Sequence, residues 1–152
     1  MKLAEALILR SDHKKRLELL RERLARVAKV QEGDRPAEDP ADLLGEVDRL
    51  VTELTRLIRQ INRTNTTARL DDGRTIADAI ADRDDLKLRH SILNGLIQSA
   101  AIRQDRFTKS EVRFQTTIDV AALQQRTDDL AQAYRELDTK IQAANWLFDL
   151  SE

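Results

Sequence analysis

The chain has no cysteine among its 152 residues, which excludes disulfide bridges and thiolate metal sites. Glycine and proline are scarce, at 4 and 2 residues, and aromatic residues make up only 3% of the chain. β-Sandwiches and barrels are richer in turn residues than this. No apolar run approaches the ~20 residues that a membrane-spanning helix needs. These absences predict an all-helical protein outside the membrane.

Neither sign of charge predominates. The formal net charge is only -1, although charged residues make up 35% of the chain. A chain without a basic field is not expected to recruit nucleic acid. The apolar residues near the N-terminus are interrupted by Glu5 and Arg10, so this stretch does not match a signal peptide. Together with the absent cysteines, this predicts a cytoplasmic protein with no nucleic-acid or membrane partner.

Apolar residues recur with helical spacing along four stretches of the sequence. The pattern predicts one helical domain over 1–152: an antiparallel bundle of about four long helices with coiled-coil-like packing. Asp39 followed by Pro40 is expected to start the second helix, and Gly33 to cap the end of the first. The predicted helices span 3–30, 40–62, 76–106 and 119–146. The clearest seam consists of Leu43, Val47, Leu50, Leu54, Leu57 and Ile61.

The segment 107–118 breaks this helical pattern. Val112, Phe114 and Ile118 alternate with polar residues, which predicts a short strand or an extended arm. The threonine-rich stretch 64–70 is a candidate β-partner, but a long helix separates the two segments within one chain. A lone arm is not stable in water, so we expect the arms to pair or pack between subunits of a homo-oligomer. The alternative is that both are irregular loops packed on their own helix ends.

A polar junction at 62–75 separates the second and third helices, and it is more elaborate than a loop requires. It precedes a helix N-terminus, where backbone N–H groups favour anions. It is therefore a candidate ligand-binding site or subunit junction. The alternative is a loop in which acids and bases satisfy one another and Gly73 supplies a positive φ. The candidate residues are Asn62, Asn65, Arg69, Asp71, Asp72 and Arg74.

His13 and His90, the only two histidines, both fall on predicted core seams and are weak candidates for metal ligands. Helical bundles usually bind metals through a His and a second ligand three or four residues apart on one helix, and that spacing is absent. The alternative is that both fix helix register beside acidic partners. No nucleophile–base arrangement is identifiable, so neither a cofactor nor enzymatic activity is expected.

Several segments resemble the DIP1984 family, a group of uncharacterised all-helical bacterial proteins that sometimes carry the label septicolysin. The resemblance spans nearly the whole chain and implies a long-helix fold of unknown function, with no catalytic residues to carry over. The segments that carry it are 1–7, 28–33, 61–65, 69–75, 120–124 and 135–138, together with Asn145 and Trp146.

The sequence therefore predicts a non-enzymatic, homo-oligomeric scaffold or interaction protein. The alternative is a protein that binds a small molecule, an anion or a metal-phosphate at the 62–75 junction.

Overall fold

The computed structural model describes residues 1–101 and 112–152, and it confirms an all-α fold. Within these residues there is no β-sheet, only the isolated bridges between Lys2 and Asp149 and between Arg69 and Thr75. The four helices are α1 (Leu3–Val27), α2 (Pro40–Thr67), α3 (Ile76–Ala100) and α4 (Val120–Leu147).

The chain packs as two compact units. The first comprises Met1–Ala77 together with Gln142–Glu152, and the second comprises Asp78–Ile141. The boundaries fall within α3 and α4. That the whole chain forms one domain stays a prediction.

In the first unit, α1 and α2 form an antiparallel pair whose core lies on the predicted seams. Buried Leu20 and Val27 of α1 pack with buried Leu43 and Leu50 of α2. Two ion pairs show that the helices are antiparallel. Arg16 lies 3.2 Å from Glu46, whereas Arg23, later on α1, binds the earlier residue Glu38. The N-cap prediction is confirmed, because an Asp39 oxygen accepts from the amide of Ala41 at 2.9 Å.

In the second unit, α3 and α4 are also antiparallel. Arg83 of α3 donates to Asp138 of α4 at 2.8 Å. About two turns later on α3, His90 lines a cleft with Ala131, which comes before Asp138 on α4. Burial alone would lower the pKa of Arg83, but its hydrogen bonds to Asp138 and Asp84 outweigh this and leave the pKa raised. Arg83 therefore stays protonated, and its ion pair with Asp138 links α3 to α4.

Among the predicted helix ends that lie within the described residues, the end of α2 differs most, because α2 continues to Thr67 instead of stopping at residue 62. The hydroxyls of Thr64, Thr66 and Thr67 each donate to the main-chain oxygen four residues earlier. Such bonds allow threonine to remain helical despite its preference for turns and strands. The suggestion that 64–70 is an extended β-partner for the arm is therefore wrong for residues 64–67.

The other helix ends differ less from the predictions. α1 stops at Val27 instead of residue 30, and α4 covers Val120–Leu147 instead of 119–146. Gly33 does have a positive φ of 90°, but it lies in a separate turn in which Asp34 donates to the oxygen of Gln31. It is therefore not the cap of α1.

The structure describes residues 112–118 of the predicted arm. The predicted helix end at 101–106 lies almost wholly outside the described residues, as does 107–111 of the arm. Residues 112–118 form neither a helix nor a strand, and Val112 and Phe114 are exposed. The prediction that these arms pair between subunits stays a prediction.

Candidate functional site

The two asparagines of the predicted site lie on the last turns of α2. Asn62 is exposed and Asn65 is half-buried, while Thr64 between them is buried. Within residues 1–101 and 112–152, neither asparagine side chain makes a hydrogen bond. Their side-chain amides therefore remain available to a ligand.

The remaining four candidates lie in a short hairpin-like loop that follows α2. Gly73 donates to the oxygen of Leu70 at 2.9 Å, and Leu70 donates to the oxygen of Arg74 at 2.8 Å. Gly73 has a φ of 86°, a conformation that favours glycine. This is the arrangement of a turn followed by one left-handed residue. The predicted role of Gly73 is confirmed.

Both arginines of the loop are engaged by the loop itself. Arg74 binds Asp72 through Nη2 at 2.6 Å and Nε at 3.1 Å, and the second carboxylate oxygen accepts from the amide of Arg74. Arg69 donates to the main-chain oxygen of Gly73 at 2.8 Å. Asp71 is exposed and has no hydrogen bond within the described part of the chain. The structure thus brings Arg69, Asp72 and Arg74 together in a loop that is stabilised by its own hydrogen bonds.

The C-terminal segment closes over this junction, which the sequence reasoning missed. The amide of Ser151 donates to the buried hydroxyl of Thr64 at 2.9 Å, and Arg63 donates to the main-chain oxygen of Glu152. These contacts join residues almost ninety positions apart, and no spacing in the sequence signals them.

The same segment also pairs with the start of the chain. Leu3 donates to the oxygen of Phe148 at 3.0 Å, and Leu150 donates to the oxygen of Met1 at 2.9 Å. A hydrogen bond from Lys2, together with its positive charge, holds the pKa of Asp149 below its usual value. The two ends of the chain therefore form one structure beside the 62–75 junction.

His13 lies in the first unit and supports the structural alternative. It is buried on α1, with Nε2 3.5 Å from a carboxylate oxygen of Glu53 on α2. Its Nδ1 is buried and has no hydrogen-bond partner in the part of the chain that the structure describes. An acidic partner across the helix pair is the arrangement expected of a register-fixing histidine.

His90 belongs to the second unit and lies on α3, in a cleft of about 290 Å³ that it shares with Lys87 and Arg135. Neighbouring cations oppose the binding of another cation. Across the described ranges 1–101 and 112–152, no group of three or more His, Asp or Glu residues is placed to hold a metal ion.

Three apolar side chains are exposed on α3, beside the exposed Asp85–Arg89 ion pair of the same helix. Leu88, Ile92 and Leu96 have exposed fractions of 62%, 61% and 42%, although Arg83 and His90 direct a different side of the helix towards α4. Leu96 also lines a cavity of about 350 Å³ with Phe114 and Ile118. The apolar surface therefore continues from α3 onto the segment 112–118.

Comparison with known proteins places the chain in a family. Residues 10–150 match the model of DUF6847, a family of unknown function. The chain belongs to this family. The match confirms the expected uncharacterised family, while the narrower label DIP1984 is not part of what it shows.

A solved structure is also similar to this DUF6847 protein. It is the crystal structure of a functionally unknown conserved protein from Corynebacterium diphtheriae, with 40% sequence identity and a TM-score of 0.93. The similarity covers 99% of each chain. No curated protein matches the sequence. No helix in the described part of this DUF6847 protein is long and apolar enough to cross a membrane.

Proposed function

We propose that this protein is a non-enzymatic, cytoplasmic interaction protein that assembles with copies of itself through the outer face of α3. The observation that carries the proposal is the row of exposed apolar side chains at Leu88, Ile92 and Leu96. The whole stretch from Ser91 to Ala101 contains no charged residue. A helix that is apolar on more than one side is usually buried on more than one side.

A second copy is the partner that this surface fits best. Its uncharged stretch gives no electrostatic means of selecting a charged partner. A two-fold axis would place the uncharged stretch of a second α3 against it, as in the isologous interfaces of most homodimers. Phe114 and Ile118 would extend the contact beyond the helix.

The absence of cysteine allows a direct test by cross-linking. Single-cysteine variants Leu88→Cys and Ile92→Cys are treated with a short bismaleimide and separated on a denaturing gel. Leu19→Cys is the matched control, since Leu19 is also an exposed helical leucine, at 57%, but lies on α1. The proposal expects covalent dimers from the two α3 variants and monomers from the control. Equal yields from all three variants would contradict it.

The alternative function, ligand binding at the 62–75 junction, remains a prediction. The amides of Asn62 and Asn65 and the carboxylate of Asp71 have no partner within the described residues, but both loop arginines already bind the loop. Assembly is preferred for that reason. A thermal-shift screen with phosphates and divalent ions discriminates, because a ligand at 100 times its dissociation constant adds ~2.7 kcal/mol of stability.

A further inference from the structure

A second feature of the Asp78–Ile141 unit has no role in the proposed assembly. It is the cleft of about 290 Å³ between α3 and α4, lined by Lys87, His90, Ala131, Tyr134 and Arg135. On each helix these residues are three or four positions apart, so they share one face and converge on the same space.

The polar groups that line the cleft are suited to donate hydrogen bonds. Lys87 and Arg135 are permanent donors. The Tyr134 hydroxyl offers an O–H and the His90 ring offers an N–H. Among the residues that the structure describes, no carboxylate lines the cleft. Among the described residues, the side chains of Lys87 and Arg135 form no ion pair, whereas Arg83 and Arg89 of the same unit each do.

This unbalanced charge distinguishes the cleft from the 62–75 junction. There, Arg74 binds Asp72 and Arg69 donates to a main-chain oxygen, so both cations are already engaged. In the cleft, both cations line the cavity and neither forms an ion pair with a described residue. A guanidinium with unused donors is the usual partner of carboxylate and phosphate groups.

The rest of the lining sets the kind of molecule that fits. Ala131 contributes a methyl group and Tyr134 an aromatic ring, next to the aliphatic stems of Lys87 and Arg135. The volume is at the lower end of the range for small-molecule sites. We infer that the cleft binds a small organic anion, a phosphate monoester or a carboxylate with a short apolar or aromatic body. Arg135 and Lys87 hold its charged group, and the Tyr134 ring packs on its apolar part.

Tyr134 supplies a direct readout, because it is the only tyrosine in the chain. The wild-type protein is titrated separately with phenyl phosphate, benzoate and inorganic phosphate while the Tyr134 ring signals are followed by NMR. The inference expects saturable shifts with phenyl phosphate or benzoate. No saturable shift up to about 10 mM of either would overturn it. Equally tight binding of inorganic phosphate would also overturn it, since the apolar part of the site would then contribute nothing.

Paired variants test which residues bind the anion. Lys87→Gln/Arg135→Gln is expected to weaken binding at least ~10-fold, because both charge-assisted contacts are lost. The matched control is Arg126→Gln/Lys140→Gln, which removes the same charge from exposed positions of α4 outside the cleft. The control is expected to bind like the wild type, and all four positions are exposed, so each variant should fold. Equal weakening in both double variants would overturn the assignment.

Discussion

The hydroxyl of Thr64 accepts a hydrogen bond from the amide of Ser151, with 2.9 Å between the two atoms. The same hydroxyl donates to the oxygen of Gln60 within α2, also at 2.9 Å. Because Thr64 has an exposed fraction of only 2%, both bonds are shielded from water. This threonine therefore ties the C-terminal segment to the end of α2.

Thr64→Val is expected to destabilise the protein by about 1–2 kcal/mol. Valine preserves the shape of threonine but removes the acceptor of the partly buried Ser151 amide. The control is Thr66→Val, since Thr66 is exposed and its hydroxyl bonds only within its own helix. Denaturant unfolding measures both, and the control should change by less than ~0.5 kcal/mol. Equal losses would show that the contact with Ser151 contributes nothing.

The helix seams of the first unit could be predicted from the sequence because they depend on local periodicity. Leu20, Leu43 and Leu50 are spaced for helical packing, and they form the observed core. The end of α2 could not be predicted in this way. Asparagine and threonine disfavour helices by local propensity, yet here the hydroxyl of Thr64 bonds back along the helix and the C-terminal segment covers its end.

The candidate sites also divide into local features that the sequence predicts and tertiary features that it does not. The sequence indicated that the acids and bases of 69–74 can satisfy one another, and the structure pairs Asp72 with Arg74. It gave no sign that Lys87 and Arg135 converge, because they come from distant helices whose register depends on the tertiary fold.

Arg83→Met is expected to destabilise the protein by about 1–2 kcal/mol, because it removes the partly buried, charged hydrogen bond that Arg83 of α3 donates to Asp138 of α4. Methionine retains the length and the apolar stem of the side chain. Arg89→Met is the control, since the Arg89–Asp85 pair lies within one exposed helix face, and such pairs contribute under ~0.5 kcal/mol. The two unfolding free energies in urea decide the comparison. A loss for Arg83→Met no larger than that of the control would argue against the role of this ion pair.

The ion pair between Arg23 and Glu38 is expected to give a measurable pH dependence. The hydrogen bond from Arg23 holds the pKa of Glu38 below its ordinary value of 4.5. Because the folded pKa is lowered, the pair stabilises the protein above the unfolded pKa, and this stabilisation is lost as the pH falls through the folded value. The stability difference between wild type and Arg23→Gln should therefore vanish in acid.

The titration of Glu38 can be followed directly by NMR of its carboxyl carbon. Its midpoint should lie below 4.5 in the wild type and rise towards that value in Arg23→Gln. Lys15→Gln is the control, since Lys15 lies on the same helix but is not among the groups that shift Glu38. A Glu38 midpoint unchanged by Arg23→Gln would refute the assigned cause.

Gly95→Ala tests whether another copy approaches α3 closely. Within the described chain, a Cβ added at Gly95 would meet nothing within 4 Å. Gly45 of α2 is equally open and provides the matched control. Gly45→Ala should raise the unfolding free energy by ~1 kcal/mol through helix propensity alone.

Gly95→Ala, in contrast, should weaken assembly if a second α3 packs against this position. Size-exclusion chromatography over a dilution series measures the change. Unaltered association, together with the stability gain of the control, would place Gly95 outside any interface.

The central claim is that the outer face of α3 joins copies of this chain, and the mass in solution tests it most directly. Light scattering after size-exclusion chromatography should give the wild type a mass of at least twice 17.4 kDa. Ile92→Glu places a charge between the exposed Leu88 and Leu96 and should give 17.4 kDa, with its helical content preserved. A wild-type mass of 17.4 kDa at every concentration, or an Ile92→Glu mass equal to that of a wild-type oligomer, would contradict the account.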